Sequence, residues 1–422
     1  MAPALTGVRH DSGVHGDVQG SRVEEGAHGV EGADAGAGEE VPEDVRAGPL
    51  HGVRVIELAG MGPAPYACML LAEAGADVLR LERPGSSDAR SKGPDLLLGR
   101  SRASVEIDLK RPEAVTLVLR LVAGADALVE GFRPGVAERL GLGPDDCRAR
   151  NRRLVFGRMT GWGQDGPLAA RAGHDIDYIA VAGALWPIGR QGDAPVPPVN
   201  LVGDFGGGGM LLAFGVVAAL LEAQRSGMGQ VVDAAMVDGA ASLTTMLHAM
   251  WLTGRWQPAR GVNLLDTGAP FYEVYETADG GHMAVGALEP PFYAALLEGL
   301  GIGEQERGSQ YDRALWPATK SRFAGIFRTK SRAEWTAVFE GTDACVAPVL
   351  APWEAPDHPH NRARGTFVDR DGRWQPGAVP RFSRTPSALR DSPGPRLALR
   401  RWGVDEQALD DLVGAGVITT TP

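Results

Sequence analysis

Residues 171–209, RAGHDIDYIAVAGALWPIGRQGDAPVPPVNLVGDFGGGG, bring one imidazole, His174, and one carboxylate, Asp204, into a single stretch that ends in four consecutive glycines. An imidazole titrates near neutral pH, so it can take or give a proton. A carboxylate across a small substrate could do the reverse. Each group also has a purely structural use. A lone histidine often serves as a fixed hydrogen-bonder, and an aspartate near glycine often closes a turn or caps a helix. The glycines would let backbone approach a ligand closely.

The flanking pattern indicates what must position these groups. Val53–Leu58 (VRVIEL) is a short apolar run suited to a buried parallel strand. The turn GMGPAP, a helix over Tyr66–Ala74 and a strand at Asp77–Glu82 complete a βαβ unit. A dinucleotide-binding reading, with Glu82 on a ribose, fails because Pro65 stands where the fingerprint needs its third glycine. Residues 83–111 read as a Gly- and Ser-flanked loop with seven cations: Arg83, Arg90, Lys92, Arg100, Arg102, Lys110 and Arg111. Such a patch suits a polyphosphate or is an ordinary solvated loop. Pro112 opens a helix to about Val122, a strand follows at Ala125–Glu130, a turn and short helix carry Arg133 and Arg139, and Leu154–Arg158 is another strand. Alternating strands and helices predict a doubly wound α/β domain, with ligand beyond the carboxyl ends of the strands. His174 follows the last of these strands.

Past Asp204 the spacing predicts a long apolar helix to about Gln224, a strand at Val231–Met236 and a second apolar helix over 237–256. The latter carries Met246, Met250, Trp251 and Trp256, which read as core or as the lining of a pocket for a greasy acyl chain. A hairpin at Phe271–Thr277 and His282–Ala287, helices near 291–300, 315–328 and 332–340, a strand at Cys345–Leu350 and a hairpin around Asp371-Gly372 form a separate α+β region. A tail helix over Arg400–Gly414 is expected to return to the first domain. The expected boundaries are a disordered extension at 1–48, a large domain at 49–234 with a C-terminal return at 380–422, linker helices at 235–262 and a small α+β domain at 263–379.

Composition narrows the function classes. The 422 residues are 44% apolar and 23% charged, as in an ordinary globular protein. The net charge of −11 argues against a general nucleic-acid binder. Residues 1–48 supply −7 of it and lack the apolar content to form a core. Translation starting near Val45 is a further reading of that segment. Three scattered cysteines, Cys68, Cys147 and Cys345, make neither a disulfide framework nor a metal pattern and suit a reducing cytoplasm. The longest apolar run, near Met210–Leu221, is short for a membrane span and reads as a buried helix. No export signal is expected.

The stretches LHGVRVIELAGMGPAP, ADVLRLERPG, GFRPGVAERLGLGP, RMTGWGQDGP, AGHDIDY, NLVGDFGGGG, GAPFYEVY, AVGALEP and GTDACVAPVL together resemble the α-methylacyl-CoA racemase branch of the family III CoA-transferase (CaiB/BaiF) superfamily, over about residues 47–390. The resemblance implies an α/β fold with a Rossmann-like large domain and a smaller α+β domain in an interlocked homodimer. It implies interconversion of (R)- and (S)-2-methylacyl-CoA thioesters in lipid metabolism. His174 and Asp204 would be the two bases, Glu289 of the other subunit would orient His174, Asn200 would hydrogen-bond Asp204, and Asp175 would offer its backbone N–H to the thioester oxygen. Arg83, Asp108, Lys110, Arg133, Arg139 and Gly173 would lie at the coenzyme A site. Coenzyme A is part of the substrate, no separate cofactor or metal is implied, and neither nucleic acid nor membrane is an expected partner.

Two rivals remain. Family III CoA-transferases use the aspartate at the Asp204 position as a nucleophile, through an acyl anhydride and an enzyme thioester. They lack the histidine of AGHD. A non-catalytic acyl-CoA binding protein would keep the basic patch without needing the His/Asp pair.

Overall fold

The computed structural model describes residues 48–86, 93 and 95–419. The expected N-terminal extension up to residue 47, Arg90 and Lys92 lie outside them.

Six parallel strands run β3-β2-β1-β4-β5-β6: β1 (Arg54–Leu58), β2 (Asp77–Glu82), β3 (Ala103–Ile107), β4 (Ala127–Glu130), β5 (Val155–Thr160) and β6 (Val231–Ala235). A short strand from the C-terminal region, β12 (Ile418–Thr419), pairs antiparallel with the outer edge of β3. This is the doubly wound order, and the strands are apolar runs because helices cover both faces. α1 (Pro63–Glu73) and α2 (Pro112–Val122) both begin with proline in the first turn, where its missing N–H costs nothing. α2 buries Ala114, Leu117, Val118, Leu121 and Val122, one helical stripe, on one face of the sheet. α1 and α4 (Leu211–Ser226) pack the other face.

The sequence reading is corrected at β3. Residues 83–111 are not one basic loop: Ala103–Ile107 enters the sheet beside β2. Arg102, just before it, is fully buried, 3.3 Å from the Glu57 carboxylate of β1. Arg80 bridges Glu57 at 2.9 Å and Glu82 at 3.4 Å in the same interior. Charges paired inside a protein have the same letters as charges in solvent.

A second, antiparallel sheet has the order β7 (Tyr272–Glu276), β8 (His282–Gly286), β9 (Val346–Pro348). Its core is aromatic, with Phe271, Tyr275, Phe323, Phe327, Trp335 and Phe339 buried together. A separate hairpin, β10 (Phe367–Arg370) and β11 (Arg373–Pro376), leads back toward the first sheet. The single expected tail helix is two, Pro395–Arg401 and Glu406–Gly414, and both carry residues into the large core.

The expected core helix over 237–256 is also two, α5 (Met236–Leu243) and α6 (Thr245–Leu252). α6 buries none of its residues, and Met246 and Trp251 are more than half exposed. The expected buried helix after Asp204 departs in the same way. Leu201–Ser226 is one continuous helix of 26 residues, long and apolar enough to cross a membrane, yet only 33% of its most apolar window is buried. Met210, Phe214 and Leu221 project outward. Periodicity reported that these faces are apolar; it could not report what covers them.

Candidate active site

Asp204 does not sit in a loop. Residues Leu201–Met210 form a π-helical segment, wider than an α-helix, that runs into α4. Such segments are rare and cluster at functional sites. Just before it, Val199 holds φ = 59°, a strained left-handed conformation for a β-branched residue. The next residue, Asn200, lies four positions before Asp204 and therefore on the same helical face. Its amide Nδ2 donates to Asp204 Oδ2 at 3.0 Å.

The first N–H groups of a helix have no partner within it. Here the Asp204 N–H donates to Asp175 Oδ2 at 2.7 Å. A Cβ on Gly203 would stand 2.5 Å from that same oxygen, so the contact requires glycine there. Asp175 is buried and is the first residue of α3 (Asp175–Val181), directly after His174. The residue beside the imidazole thus holds the backbone of the carboxylate.

His174 caps α3, and its backbone N–H donates to Asp177 Oδ2 at 2.9 Å. The Tyr178 hydroxyl donates to the Gly173 carbonyl, and its ring meets Trp162 edge-on at 4.8 Å. A Cβ on Gly161 or Gly173 would collide with the Tyr178 ring. Packing against Tyr178 and Trp162 therefore excludes a side chain at Gly173.

Burial pushes the Asp204 carboxyl above the usual carboxylate value, and the neighbouring Asp175 carboxylate adds to this. The Asn200 hydrogen bond and the nearby His174 charge pull the other way. A carboxylate raised in this manner is a stronger base when ionised.

The glycines after Asp204 have a different purpose from the one expected. A Cβ on Gly207 would lie 2.6 Å from the Ala240 nitrogen of α5, and one on Gly209 would lie 2.7 Å from the Pro63 oxygen of α1. They let α5 and α1 close onto the π-helical segment, and they face protein rather than an open substrate site.

Beside Asp204 and Asn200 lies a cavity of about 620 Å³, walled by Met69, Leu70, Leu97 and Phe205 among others. His174 is not part of that wall. The coenzyme candidates stand at the carboxyl ends of strands on the β3-β2-β1-β4 side of the sheet: Arg83 after β2, Asp108 and Lys110 after β3, Arg133 after β4, with Arg139 on the short helix Val136–Arg139 beyond. Arg83, Lys110, Arg133 and Arg139 are exposed. β3 to β4 spans three strand spacings, about 14 Å, the scale of an extended nucleotide polyphosphate. Asp108 is half-buried and closes a local turn, its Oδ1 accepting the Lys110 N–H at 3.1 Å. Arg100 and Arg102 of the original patch are committed elsewhere, to Glu73 and Glu57. Glu289 precedes α7 (Pro290–Gly299) on the second sheet, exposed near Cys345, with no bond to His174 within the chain. Among the described residues no group of three His, Cys, Asp or Glu could hold a metal ion.

Sequence reasoning missed the Asp175 carboxylate, Gly203 and Tyr178. The Gly-Asp pair at 203–204 was the available signal for the close backbone contact.

The model of CoA-transferase family III matches residues 50–399. The chain belongs to CoA-transferase family III. Among relatives in this family, it is 47% identical to the alpha-methylacyl-CoA racemase of Mus musculus, over 85% of this chain and 95% of that protein. Its identity to the Homo sapiens alpha-methylacyl-CoA racemase is 44%, over 80% and 90%. A crystal structure of a CaiB/BaiF family protein from Brucella suis superposes with a TM-score of 0.72 at 25% identity, covering 85% of this chain and 100% of that one. The family match thus spans both sheets.

Proposed function

We propose that this protein is an α-methylacyl-CoA racemase, interconverting (R)- and (S)-2-methylacyl-CoA thioesters through an enolate. The observation that carries this reading is the 2.7 Å bond from the Asp204 N–H to the Asp175 carboxylate, which ties the backbone of one candidate base to the residue beside the other. Inversion at carbon needs a base on one face and an acid on the other, exchanging roles with direction. His174 serves one direction and Asp204 the other. The thioester carbonyl spreads the carbanion charge onto its oxygen, and the Asp175 N–H at the start of α3 would meet that oxygen without reorganising. The chemistry calls for no metal or redox cofactor. The acyl chain enters the apolar cavity beside Asp204, and the exposed cations at the strand ends take the coenzyme A phosphates.

We further propose a homodimer. α4 and α6 expose Phe214, Leu221, Met246, Trp251 and Leu252, and exposed apolar surface of this kind marks an interaction site. A second copy covering them, rather than lipid, would also supply Glu289 to His174. Sedimentation of a single monomeric species would overturn this. The cytoplasm suits such an enzyme.

The test of the reaction is α-proton exchange in D2O with (R)-2-methylacyl-CoA, followed by NMR with the R/S ratio. Deuterium at C2 with drift to a near-equal mixture of epimers is expected, and the drift between epimers is expected to vanish in His174→Ala. Acyl transfer to a free acid that survives His174→Ala would instead establish a transferase.

A further inference from the structure

Met61 and Gly62 of the turn before α1 line the cavity, and Gly62 is followed along it by Tyr66, Met69, Leu70 and Glu73 of α1. Their spacing is one face of a helix, so the cavity is a trough along α1. A Cβ on Gly62 would lie 3.3 Å from Asp204 Oδ2, which fixes Asp204 at the N-terminal end of that trough. Glu73 is the last residue of α1, so the far end lies about 16 Å away. The apolar residues between offer an acyl chain a continuous surface.

At that far end one guanidinium joins α1 to β11. Arg100 Nε meets Glu73 Oε1 at 2.5 Å. Its NH1 donates to Gln375 Oε1 and to the Pro376 carbonyl, both at 2.9 Å. The Arg100 side chain is 10% exposed and that of Glu73 is 0%. Pro376 ends β11, and the following Gly377 N–H returns to the Thr366 carbonyl at 2.9 Å. Pro376, Gly377 and Val379 line the trough, and Val379 is nevertheless 52% exposed. Its apolar surface lies against the trough instead of the core, and few bonds hold the segment that carries it.

We infer that Pro376–Val379 is a strap across the end of the trough, and that Arg100 is a positioning residue that ties it down and so sets how much of a long acyl chain is shielded from water. The inference rests on the proposed reading of the cavity as the acyl site. Its chemical consequence is a preference for long over short acyl groups, with the last methylenes buried against the strap.

Arg100→Lys separates this role from simple stability. An ammonium can keep the buried pair with Glu73 but lacks the planar fork that reaches Gln375 and Pro376 together. The measurement is α-proton exchange in the full-length protein with 2-methylbutanoyl-CoA and 2-methyldodecanoyl-CoA. In Arg100→Lys, kcat/KM for the long ester is expected to fall about tenfold through KM, so that the long-to-short ratio collapses, the effect of one or two methylenes returned to water. Val379→Ser leaves the ion pair intact and is expected to lower the same ratio about threefold. Equal losses on both esters, or an unchanged ratio, would overturn the inference; if Arg100→Lys does not fold, Val379→Ser decides alone. Should the wild-type protein exchange no α-proton, the racemase reading falls by itself. The strap is then judged by equilibrium binding of the same two esters, and an affinity ratio unmoved by the variants sinks it.

Discussion

Arg102 and Arg83 belong to one run of basic residues and end in opposite environments. Arg102 enters the sheet from below β3, with its guanidinium fully buried against Glu57 and its NH1 donating to the Pro65 carbonyl at 2.5 Å. Arg83 leaves the sheet just past β2 and stands in solvent. The difference is position along the strand direction. Arg102, on the amino-terminal side of β3, is absorbed by a buried carboxylate, while Arg83, past the carboxyl end of β2, remains available to a ligand. A parallel sheet gathers its ligand-facing loops at one edge, so the same residue type becomes scaffold on one side and site on the other.

The most severe test of that division is Arg102→Ala. It leaves the buried Glu57 side chain without one of its partner cations, at a cost of about 3–5 kcal/mol. Urea unfolding is expected to show loss of much of the stability, and a wild-type midpoint would place Arg102 with the solvated set. Asp204→Asn probes the boundary between the two environments. Racemisation is expected to disappear while stability rises. Because burial raises the Asp204 carboxyl above its ordinary value, the folded chain holds that proton more tightly than the unfolded chain does. Ionised Asp204 therefore weighs against folding at neutral pH, and the penalty fades as pH falls back through the raised value. The amide variant should melt higher than wild type at neutral pH and lose that advantage in acid. A variant less stable at neutral pH would contradict the sign. The mildest effect is predicted for Arg83→Glu. Its melting temperature should match wild type, since it removes only exposed charge. KM for an acyl-CoA should rise, and added salt should narrow the gap between variant and wild type. An unaltered KM would move the phosphate site away from the β2 edge.

The same contrast marks what the sequence made legible. Val53–Leu58, the Pro112 helix and the 271–287 hairpin were readable because local pattern and burial agree there. β3 was hidden because two of its flanking arginines pair internally, and pairing depends on neighbours far along the chain. α6 was misread as core because an apolar stripe shows that a face seeks cover without naming the cover. His174, Asn200 and Asp204 were visible as residue types. Their geometry was not, since it depends on a strained Val199, a glycine at 203 and an aspartate at 175 whose carboxylate had no evident task. The four glycines were noticed for the wrong reason: they admit neighbouring helices, and the same absence of side chains would have suited a ligand equally well.

The pairing of Ile418 and Thr419 with β3 has a consequence for how the chain is made. β3 is synthesised by residue 107, yet its outer edge finds a partner only when residue 418 has left the ribosome. Until then a nascent chain carries an open ladder of hydrogen-bonding groups, the kind of edge through which sheets join one another. The last strand acts as a closing seam. A chain released before it would be complete in every candidate catalytic residue and still prone to aggregate.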